Sequence, residues 1–467
     1  MSRTSRLLSS TTAALVLPAL LFLSSPAAAQ RGRATPAKAD TAKPAGPSLA
    51  GLKLRSIGPA MISGRITDIA VNPRDESQWY VGAASGGLWK TDNAGTTWTP
   101  VFDGEPVYSI GVVTLDPNNP SVVWVGTGEY NAQRSVAYGD GVYRSEDGGK
   151  SWTNMGLKQS EHVGRIIVDP RKRYRREWGY IAGGPESALW RTTDGGATWT
   201  KITEGLPSGD AVGRYGLAFS PGDPDVVYAV VEAEPGGGFY RSTDDGASWT
   251  KMNDYHSVGL YYNRIYADPN DAQRVYAGDF LAQVTDDGGH TFRGVGENHK
   301  HVDTHVFWID PKDSDHLLVG CDGGLYESWD RGKTYHFFGN LPLAQFYRVA
   351  TDNALPFYHL YGGTQDNSSV GGPSQTRAAY GIVNSDWYFT QGGDGFQSRV
   401  DPEDPNTVYA QYQNGGLSRF DIRTGENVDI IPQPEPGQPA LRWFWDAPLI
   451  ISPFSHIRLY FGSQILW

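Results

Sequence analysis

The sequence contains a single cysteine, Cys321, among 467 residues. An intramolecular disulfide is therefore excluded, and the fold must be stabilised by packing. The chain also lacks any run of the roughly 20 apolar residues that a membrane-spanning helix requires. Motifs of several enzyme classes are missing as well: there is no Walker loop, no GxSxG turn, no HExxH and no CxxC.

Basic residues are in deficit, with 40 Lys and Arg against 51 Asp and Glu and a net charge of −11. Six of the basic residues, but only one acidic residue, lie within the first 50 positions, so the remaining chain is more acidic still. An acidic surface disfavours nucleic acid or an anionic membrane as the main partner.

The amino-terminal 50 residues differ in composition from the rest. Residues 1–29 predict a secretory signal peptide, because Arg3 and Arg6 precede an apolar stretch at 13–23 and small residues at 27–29. Residues 30–50 are rich in Pro, Ala and Lys and predict a flexible linker. We therefore expect an exported protein, periplasmic or extracellular, whose folded region spans 51–467.

One eight-residue phrase recurs throughout that region, and its closing aromatics lie 43 to 54 residues apart. Spacing of this kind indicates a repeat architecture. The copies are TDNAGTTW (91–98), SEDGGKSW (145–152), TTDGGATW (192–199), STDDGASW (242–249), TDDGGHTF (285–292) and SWDRGKTY (328–335).

The phrase suits a tight turn, because its Asp or Asn accepts backbone hydrogen bonds and its Gly adopts a positive φ. It could be a ligand or calcium loop, but six copies favour a structural role. We expect its aromatic residue to pack between repeats, so that Trp152→Ala or Trp199→Ala would be strongly destabilising.

Each repeat also has an apolar strand ending at a Pro turn, as in IAVNP (69–73) and FWIDP (307–311), followed by further β-rich runs. Four short strands per repeat predict an all-β protein of β-propeller blades, with a solenoid as the alternative. About eight repeats and a partial one, beginning at Pro448, are visible. The sequence thus suggests an incomplete last blade and a larger or tandem propeller.

The phrase resembles the Asp-box, or BNR repeat, of sialidases, sortilin-type domains and xyloglucan-degrading glycoside hydrolases. The intervening segments resemble large exported bacterial proteins labelled BNR-repeat glycosyl hydrolase or sortilin amino-terminal domain proteins. The segments that carry this resemblance are HVDTHVFWIDP (301–311), GGTQDN (362–367), NSDWY (384–388), GGDGF (392–396) and LYFGSQ (459–464).

Segments that lead into the Pro-terminated strands are the places where a propeller would hold chemistry. If residues 299–305 form an extended strand, alternate side chains share one face. Such a group could bind a divalent cation such as zinc or manganese, act in acid/base chemistry, or be a polar structural strand. Its members are His299, His301, Asp303 and His305.

Carboxylates and amides of the later repeats form a second candidate group: Gln365, Asp366, Asn367, Asp386 and Asp394. The xyloglucanase resemblance implies an acid and a base carboxylate about 6.5 to 9.5 Å apart in an inverting mechanism. Asp303, Asp366 and Asp394 are the candidates for these roles. The alternative is that these groups only stabilise turns.

Arginines recur near the start of the first strands, at Arg65, Arg165, Arg214 and Arg264. They could converge on a carboxylate or phosphate ligand, or form structural ion pairs. Aligned on the strands, Arg165 matches Arg264 and Arg65 matches Arg214. Arg165 and Arg264 are candidate ligand-binding residues, together with His305, Gln365 and Asn367.

Two functional hypotheses follow. The first is a scaffold that binds a peptide or protein, as the resemblance to sortilin-type domains implies. The second is a glycoside hydrolase that acts on a polysaccharide with carboxylate catalysis. The fold alone does not choose between them.

Overall fold

The described part of the chain consists of successive antiparallel sheets, numbered 1 to 9 in chain order. The computed structural model describes residues 56–61, 63–131, 136–164, 166, 187–192, 198–259 and 261–467. In the four-stranded sheets, each strand pairs with the next along the chain. This meander is the arrangement of a propeller blade and confirms the all-β prediction. The predicted signal peptide and linker, residues 1–50, lie outside the described residues.

The first four sheets are formed by residues 66–253. Sheet 1 contains β1 (Ile66–Val71), β2 (Trp79–Ala83), β3 (Gly87–Thr91) and β4 (Thr99–Pro100). Sheet 2 contains β5 (Ile110–Asp116), β6 (Asn119–Thr127), β7 (Val142–Ser145) and β8 (Thr153–Asn154). The described strands of sheet 3 are β9 (Leu189–Arg191) and β10 (Thr200–Ile202). Sheet 4 contains β11 (Val212–Phe219), β12 (Val227–Ala233), β13 (Gly238–Ser242) and β14 (Thr250–Asn253).

The remaining sheets continue in the same way. Sheet 5 contains β15 (Ile265–Ala267), β16 (Val275–Ala277), β17 (Gln283–Thr285) and β18 (Arg293–Gly294). Sheet 6 contains β19 (Thr304–Ile309), β20 (Leu317–Cys321), β21 (Gly324–Ser328) and β22 (His336–Phe337). Sheet 7 contains β23 (Phe346–Thr351), β24 (His359–Thr364), β25 (Ser369–Pro373) and β26 (Tyr388–Gln391). Sheet 8 contains β27 (Gly395–Val400), β28 (Thr407–Tyr412), β29 (Gly416–Asp421) and β30 (Asn427–Asp429). Sheet 9 contains β31 (Leu449–Ser452) and β32 (Ser455–Phe461).

Helical structure in the described residues is limited to two short 3₁₀ turns, Asn384–Asp386 and Gln413–Gly415. Accordingly, no helix in this part of the chain is long and apolar enough to span a bilayer. Burial follows position within the blade. All five residues of β20 are buried, whereas both residues of the outermost β18 are exposed. The second strands are thus buried on both faces, which explains their continuous apolar sequences.

The repeated phrase forms the turn between the third and fourth strands. Ser145 donates its hydroxyl to Asp147 Oδ1 at 2.8 Å, and Ser151 bonds to both oxygens of that carboxylate. The same contacts recur at Asp244, Asp287 and Asp330. These local bonds hold the pKa of Asp147 well below its usual range. The carboxylate is used within its own turn, which supports the structural interpretation.

The aromatic residue that closes the phrase packs against the preceding part of the chain. Trp152 lies 5.1 Å from Phe102, centroid to centroid, and donates its indole N–H to Val101 O. Trp249 is 6% exposed and packs with Ile202 and Leu206. Trp199 differs, because 53% of it is exposed in the described structure. The expected cost of truncating Trp199 is therefore corrected, whereas Trp249 is a buried packing residue and Trp152 a partly buried one.

Sheet 1 packs on sheet 6, although more than 200 residues separate them. The ring of Trp79 lies 5.7 Å from that of Phe338, and Trp98 donates its indole N–H to Asn340 Oδ1 at 3.2 Å. Ile66 and Leu318 belong to the same buried cluster. This contact brings the loops of sheet 1 beside those of sheet 6.

Candidate active site

Most of the described candidate residues lie at one end of the sheets, which we call the loop end. Asp386 is an exception, because it lies between β25 and β26 at the opposite end of sheet 7 and accepts a hydrogen bond from the Val383 N–H at 2.9 Å. Because the first two strands of a blade are antiparallel, the start of the first lies beside the end of the second. Thr304 pairs with Cys321, and Phe346 pairs with Thr364. Segments that enter the first strands therefore meet loops that leave the second strands. The sequence predicted the first of these two sources, and from the second only Gln365, Asp366 and Asn367 were predicted.

A buried arginine forms the centre of the site. Arg65, which immediately precedes β1, is 1% exposed, and its Nε donates to Asp322 Oδ1 at 2.7 Å. Its other nitrogens bond to the Glu129 carboxylate and to the Tyr261 hydroxyl. Burial alone would raise the pKa of Asp322, but Arg65 and His305 hold it well below its usual range. Asp322 is therefore a buried, ionised carboxylate.

Asp366 lies next to the ionised Asp322, and its pKa is shifted in the opposite direction. Its Oδ2 accepts a hydrogen bond from Gln365 Nε2 at 3.1 Å, and its backbone N–H donates to Asp394 Oδ1 at 3.0 Å. Burial, followed by the charges of Asp322 and Asp394, raises the pKa of Asp366 to about 10. Its side chain remains 18% exposed. Asp366 is thus a neutral carboxylic acid at neutral pH that can reach solvent.

Gly363 and Gly395 allow the backbones of sheets 7 and 8 to approach each other closely beside Asp366. A Cβ on Gly363 would lie 2.0 Å from the carbonyl carbon of Gly395. Gly395 follows Asp394 directly, so this close contact places the Asp394 carboxylate beside Asp366. Gly393 and Gly395 flank Asp394 in the sequence, a pattern that would let the backbone approach a ligand closely. In the structure, Gly395 instead admits the backbone of the neighbouring sheet.

His305 bonds to the same oxygen of Asp322 as Arg65 does. It is 1% exposed, and its Nε2 lies 2.7 Å from Asp322 Oδ1. Burial lowers the pKa of His305, so the ring is neutral at neutral pH. An ionised Asp322 can only accept a hydrogen bond, so Nε2 carries the proton. The ring of Tyr262 stacks on His305 at 5.5 Å.

Asp303 lies between the tyrosine and the loop of sheet 5. Its carboxylate accepts a hydrogen bond from Tyr262, and its backbone N–H donates to Phe280 O at 2.9 Å. Burial and the charge of Asp322 raise the pKa of Asp303. Its side chain is only half-buried. The structure therefore places Asp303 and Asp366 near Asp322, and Asp394 against the backbone of Asp366.

The prediction of an extended strand at residues 299–303 is wrong. Strand β19 begins at Thr304, and the preceding residues His299 and Asp303 have left-handed φ values of 65° and 61°. Alternation of side chains therefore does not apply at 299–303. His299 is exposed, whereas His301 directs Nδ1 to Val302 O at 2.8 Å and Nε2 towards Asp366 O at 3.4 Å.

The described residues contain no group of three or more His, Cys, Asp or Glu side chains arranged to hold a metal ion. The divalent cation proposed for His299, His301, Asp303 and His305 thus stays a prediction from sequence. Their observed contacts fit hydrogen bonding and acid/base roles, since His305 is bonded to Asp322 and Asp303 to Tyr262.

The amides of the GGTQDN segment hold the loops together. Gln365 Oε1 accepts from Gln345 Nε2 at 3.1 Å. Asn367 Nδ2 donates to Asp322 O and to Gln365 O, both at 2.8 Å. These contacts orient the Asp366 loop against the loop of Asp322. Both amides therefore fix the geometry of the site.

Two arginines of the candidate group, Arg214 and Arg264, donate hydrogen bonds to backbone carbonyls of the protein. The Arg264 guanidinium lies 3.9 Å from the centroid of the Tyr130 ring and donates to Gly164 O and Thr67 O. Arg214 approaches Tyr130 O at 3.5 Å. These contacts match the structural alternative for the arginines. Arg165 lies outside the described residues.

Sequence reasoning missed Glu129, Asp322, Tyr261 and Tyr262. A signal for the first two was available, because both follow the second strand of their repeat, in GTGEY and GCDGG, as Asp366 does in GGTQDN. Alignment of the repeats would have placed these carboxylates at equivalent positions.

The fold and site define an all-β protein of propeller-type blades with a buried carboxylate cluster at the loop end. The family model Sortilin-Vps10, described as "Sortilin, neurotensin receptor 3", matches residues 140–277. The xyloglucanase of Hypocrea jecorina is 29% identical over 160 residues, which are 31% of this chain and 18% of that protein. Xyloglucanase Xgh74A of Acetivibrio thermocellus is 27% identical over 158 residues, with the same coverage of 31% and 18%. The matched part therefore spans less than a fifth of either relative.

Two solved structures are similar at low identity. The GH74 enzyme of Niastella koreensis gives a TM-score of 0.43 at 13% identity, covering 87% of this chain and 77% of that chain. The GH74 xyloglucanase of Xanthomonas campestris gives a TM-score of 0.41 at 15% identity, covering 88% and 87%.

Proposed function

We propose that the protein is an exported glycoside hydrolase that cleaves a polysaccharide at the loop end. The observation that carries this proposal is the carboxylate cluster at the loop end, in which Asp366 reaches solvent while burial and the charges of Asp322 and Asp394 raise its pKa. A neutral acid beside further carboxylates is what glycosidic bond hydrolysis requires. The xyloglucanase relatives support this hypothesis better than the sortilin-type scaffold.

The sortilin-type hypothesis was the first choice from sequence. The matching family model spans 140–277, from just before β7 to the end of β16. That range excludes Asp303, Asp366 and Asp394. The match supports the blade architecture and gives no argument for a peptide ligand at the carboxylate cluster. The preference is therefore revised in favour of the hydrolase.

In the proposed mechanism, Asp366 donates its proton to the glycosidic oxygen as the C–O bond breaks. Asp303 removes a proton from the water that attacks the anomeric carbon. Its half-buried carboxylate has access to solvent, and its raised pKa makes it a stronger base. Asp394, which is 7% exposed, acts as a positioning residue through the backbone of Asp366.

The test is release of reducing ends from soluble xyloglucan and from unsubstituted β-glucans by the full chain. Asp366→Asn should lower kcat by about 10² to 10⁴, the range of general acid catalysis, with little change in melting temperature. Asp225→Asn is the matched control, because Asp225 is exposed in the turn before β12, at the other end of sheet 4. Wild-type turnover in the Asp366→Asn variant, or no hydrolysis of any glycan by the wild type, would overturn the proposal.

A further inference from the structure

Two exposed tyrosines, Tyr108 and Tyr138, lie together at the loop end of sheet 2. Tyr108 is 62% exposed and Tyr138 is 63% exposed. Their backbones are adjacent, because the hydroxyl of Ser109 donates to Ala137 O at 3.1 Å. We call these two residues the tyrosine pair. Single exposed aromatic residues are ordinary, but two that lie on adjacent segments form a contiguous patch that is a candidate binding surface.

The tyrosine pair is continuous with the carboxylate cluster. The backbone N–H of Glu129 donates to the Ser109 hydroxyl at 2.9 Å and to Ala137 O at 3.1 Å. The carboxylate of Glu129 in turn bonds to Arg65. The segments that carry the tyrosines therefore touch the loop that supplies the centre of the site.

Tyr138 is partly preorganised. Its ring lies 5.4 Å from that of His162, at an interplanar angle of 45°. The backbone carbonyl of Glu161, the neighbour of His162, accepts a hydrogen bond from the Gly139 N–H at 2.7 Å. A ring held on one side in this way loses less conformational entropy when a ligand covers its free side.

An exposed phenylalanine lies at the loop end of sheet 5, which packs on sheet 6, whereas the tyrosine pair lies in sheet 2, which packs on sheet 1. Phe280, in the loop after β16 of sheet 5, is 54% exposed. Its carbonyl accepts the backbone N–H of Asp303, and its own N–H donates to Asp279 Oδ1 at 2.8 Å. Phe280 is thus fixed to the same backbone that carries the proposed base.

We propose that the tyrosine pair and Phe280 are sugar-binding surfaces on which pyranose rings of a glycan chain stack, on either side of the carboxylate cluster. This inference rests on the proposed function. The apolar C–H face of a pyranose matches an aromatic face, and contact removes both from water. The carboxylates between the aromatics would repel a polyuronate, so the occupant is a neutral polysaccharide.

The experiment separates binding from cleavage by using Asp366→Asn as the background. Binding of soluble xyloglucan and of a neutral, unsubstituted β-glucan is measured by calorimetry. Adding Tyr138→Ala or Phe280→Ala should weaken binding roughly three- to tenfold, from the loss of one aromatic stack. Tyr380→Ala is the matched control, since Tyr380 is 78% exposed and lies at the opposite end of sheet 7.

The outcomes are distinct for the two proposals. Weaker binding in both aromatic variants but not in Tyr380→Ala supports the surfaces, even if Asp366→Asn retains activity and the assigned acid fails. Unchanged affinity in both variants overturns the surfaces, even if Asp366→Asn is inactive. Absence of any glycan binding also overturns them, and the exposed aromatics would then fit a protein partner.

Discussion

At the residue scale, the site depends on charges that are buried in pairs. Arg65 and Asp322 neutralise each other away from water, and together they fix the charge that Asp366 experiences. Removing one partner of such a pair leaves an unpaired buried charge, which typically costs about 3–5 kcal/mol. Substitutions at Arg65 therefore damage folding as well as chemistry, and Asp366 is the better position for testing function.

A second group of charged residues, His316 with Asp310 and Glu327, makes the stability of the fold depend on pH. His316 lies between Asp310 and Glu327, at 3.1 Å and 3.0 Å, and stacks on Trp329 with ring centroids 3.7 Å apart. Burial alone would lower the pKa of His316, but the hydrogen bonds to Glu327 and Asp310 raise it. Its stabilising contribution is therefore present below the unfolded pKa of about 6.5 and is lost as pH rises through the folded value.

We expect His316→Gln to lower the melting temperature most below about pH 6 and progressively less towards pH 9. Thermal unfolding of both proteins across this range measures the difference. His290→Gln, at an exposed position in a turn, should show no such trend. A difference between wild type and His316→Gln that is constant with pH would contradict the assignment.

At the element scale, the turn phrase joins the strands within a blade and packs the blade on its neighbour. Trp249 and Trp199 occupy the same position in two copies of the phrase but differ in burial, at 6% and 53% exposed. Trp249→Ala should cost about 3–5 kcal/mol in unfolding free energy, as buried aromatic truncations do. Denaturant unfolding provides the measurement.

Trp199→Ala is the internal control for that experiment. An exposed position should change the unfolding free energy by no more than about 0.5 kcal/mol. Equal losses in the two variants would mean that the phrase acts through its own turn, and that packing between blades contributes little.

At the scale of the whole molecule, sheet 1 is joined to sheet 6 by Trp79, Trp98 and Phe338. Phe338→Ala should reduce hydrogen-exchange protection in β2 and β3 as well as in β21 and β22, because the cavity lies between the two sheets. Phe454→Ala, at a residue 93% exposed in sheet 9, is the comparison. Loss of protection confined to sheet 6 would show that the two sheets are energetically independent.

The blades could be predicted from sequence because their determinants are local. The Asp147 carboxylate bonds only to residues within four positions, and strand alternation repeats every two residues. The site was predicted in part. Asp303, Asp366 and Asp394 were recognised from sequence as candidate carboxylates. The strand assumed at 299–303 was wrong, because His299 and Asp303 adopt left-handed backbone conformations.

Only the tertiary structure decided which groups meet and in which protonation state. Arg65 and Asp322 are 257 positions apart and join because sheet 1 packs on sheet 6. The protonation of Asp366 depends on that distant pair and on the contact between Gly363 and Gly395. Sequence determines the turn and the blade through short-range hydrogen bonds. The acid at the loop end arises from desolvation and charge, which depend on the packing of whole sheets.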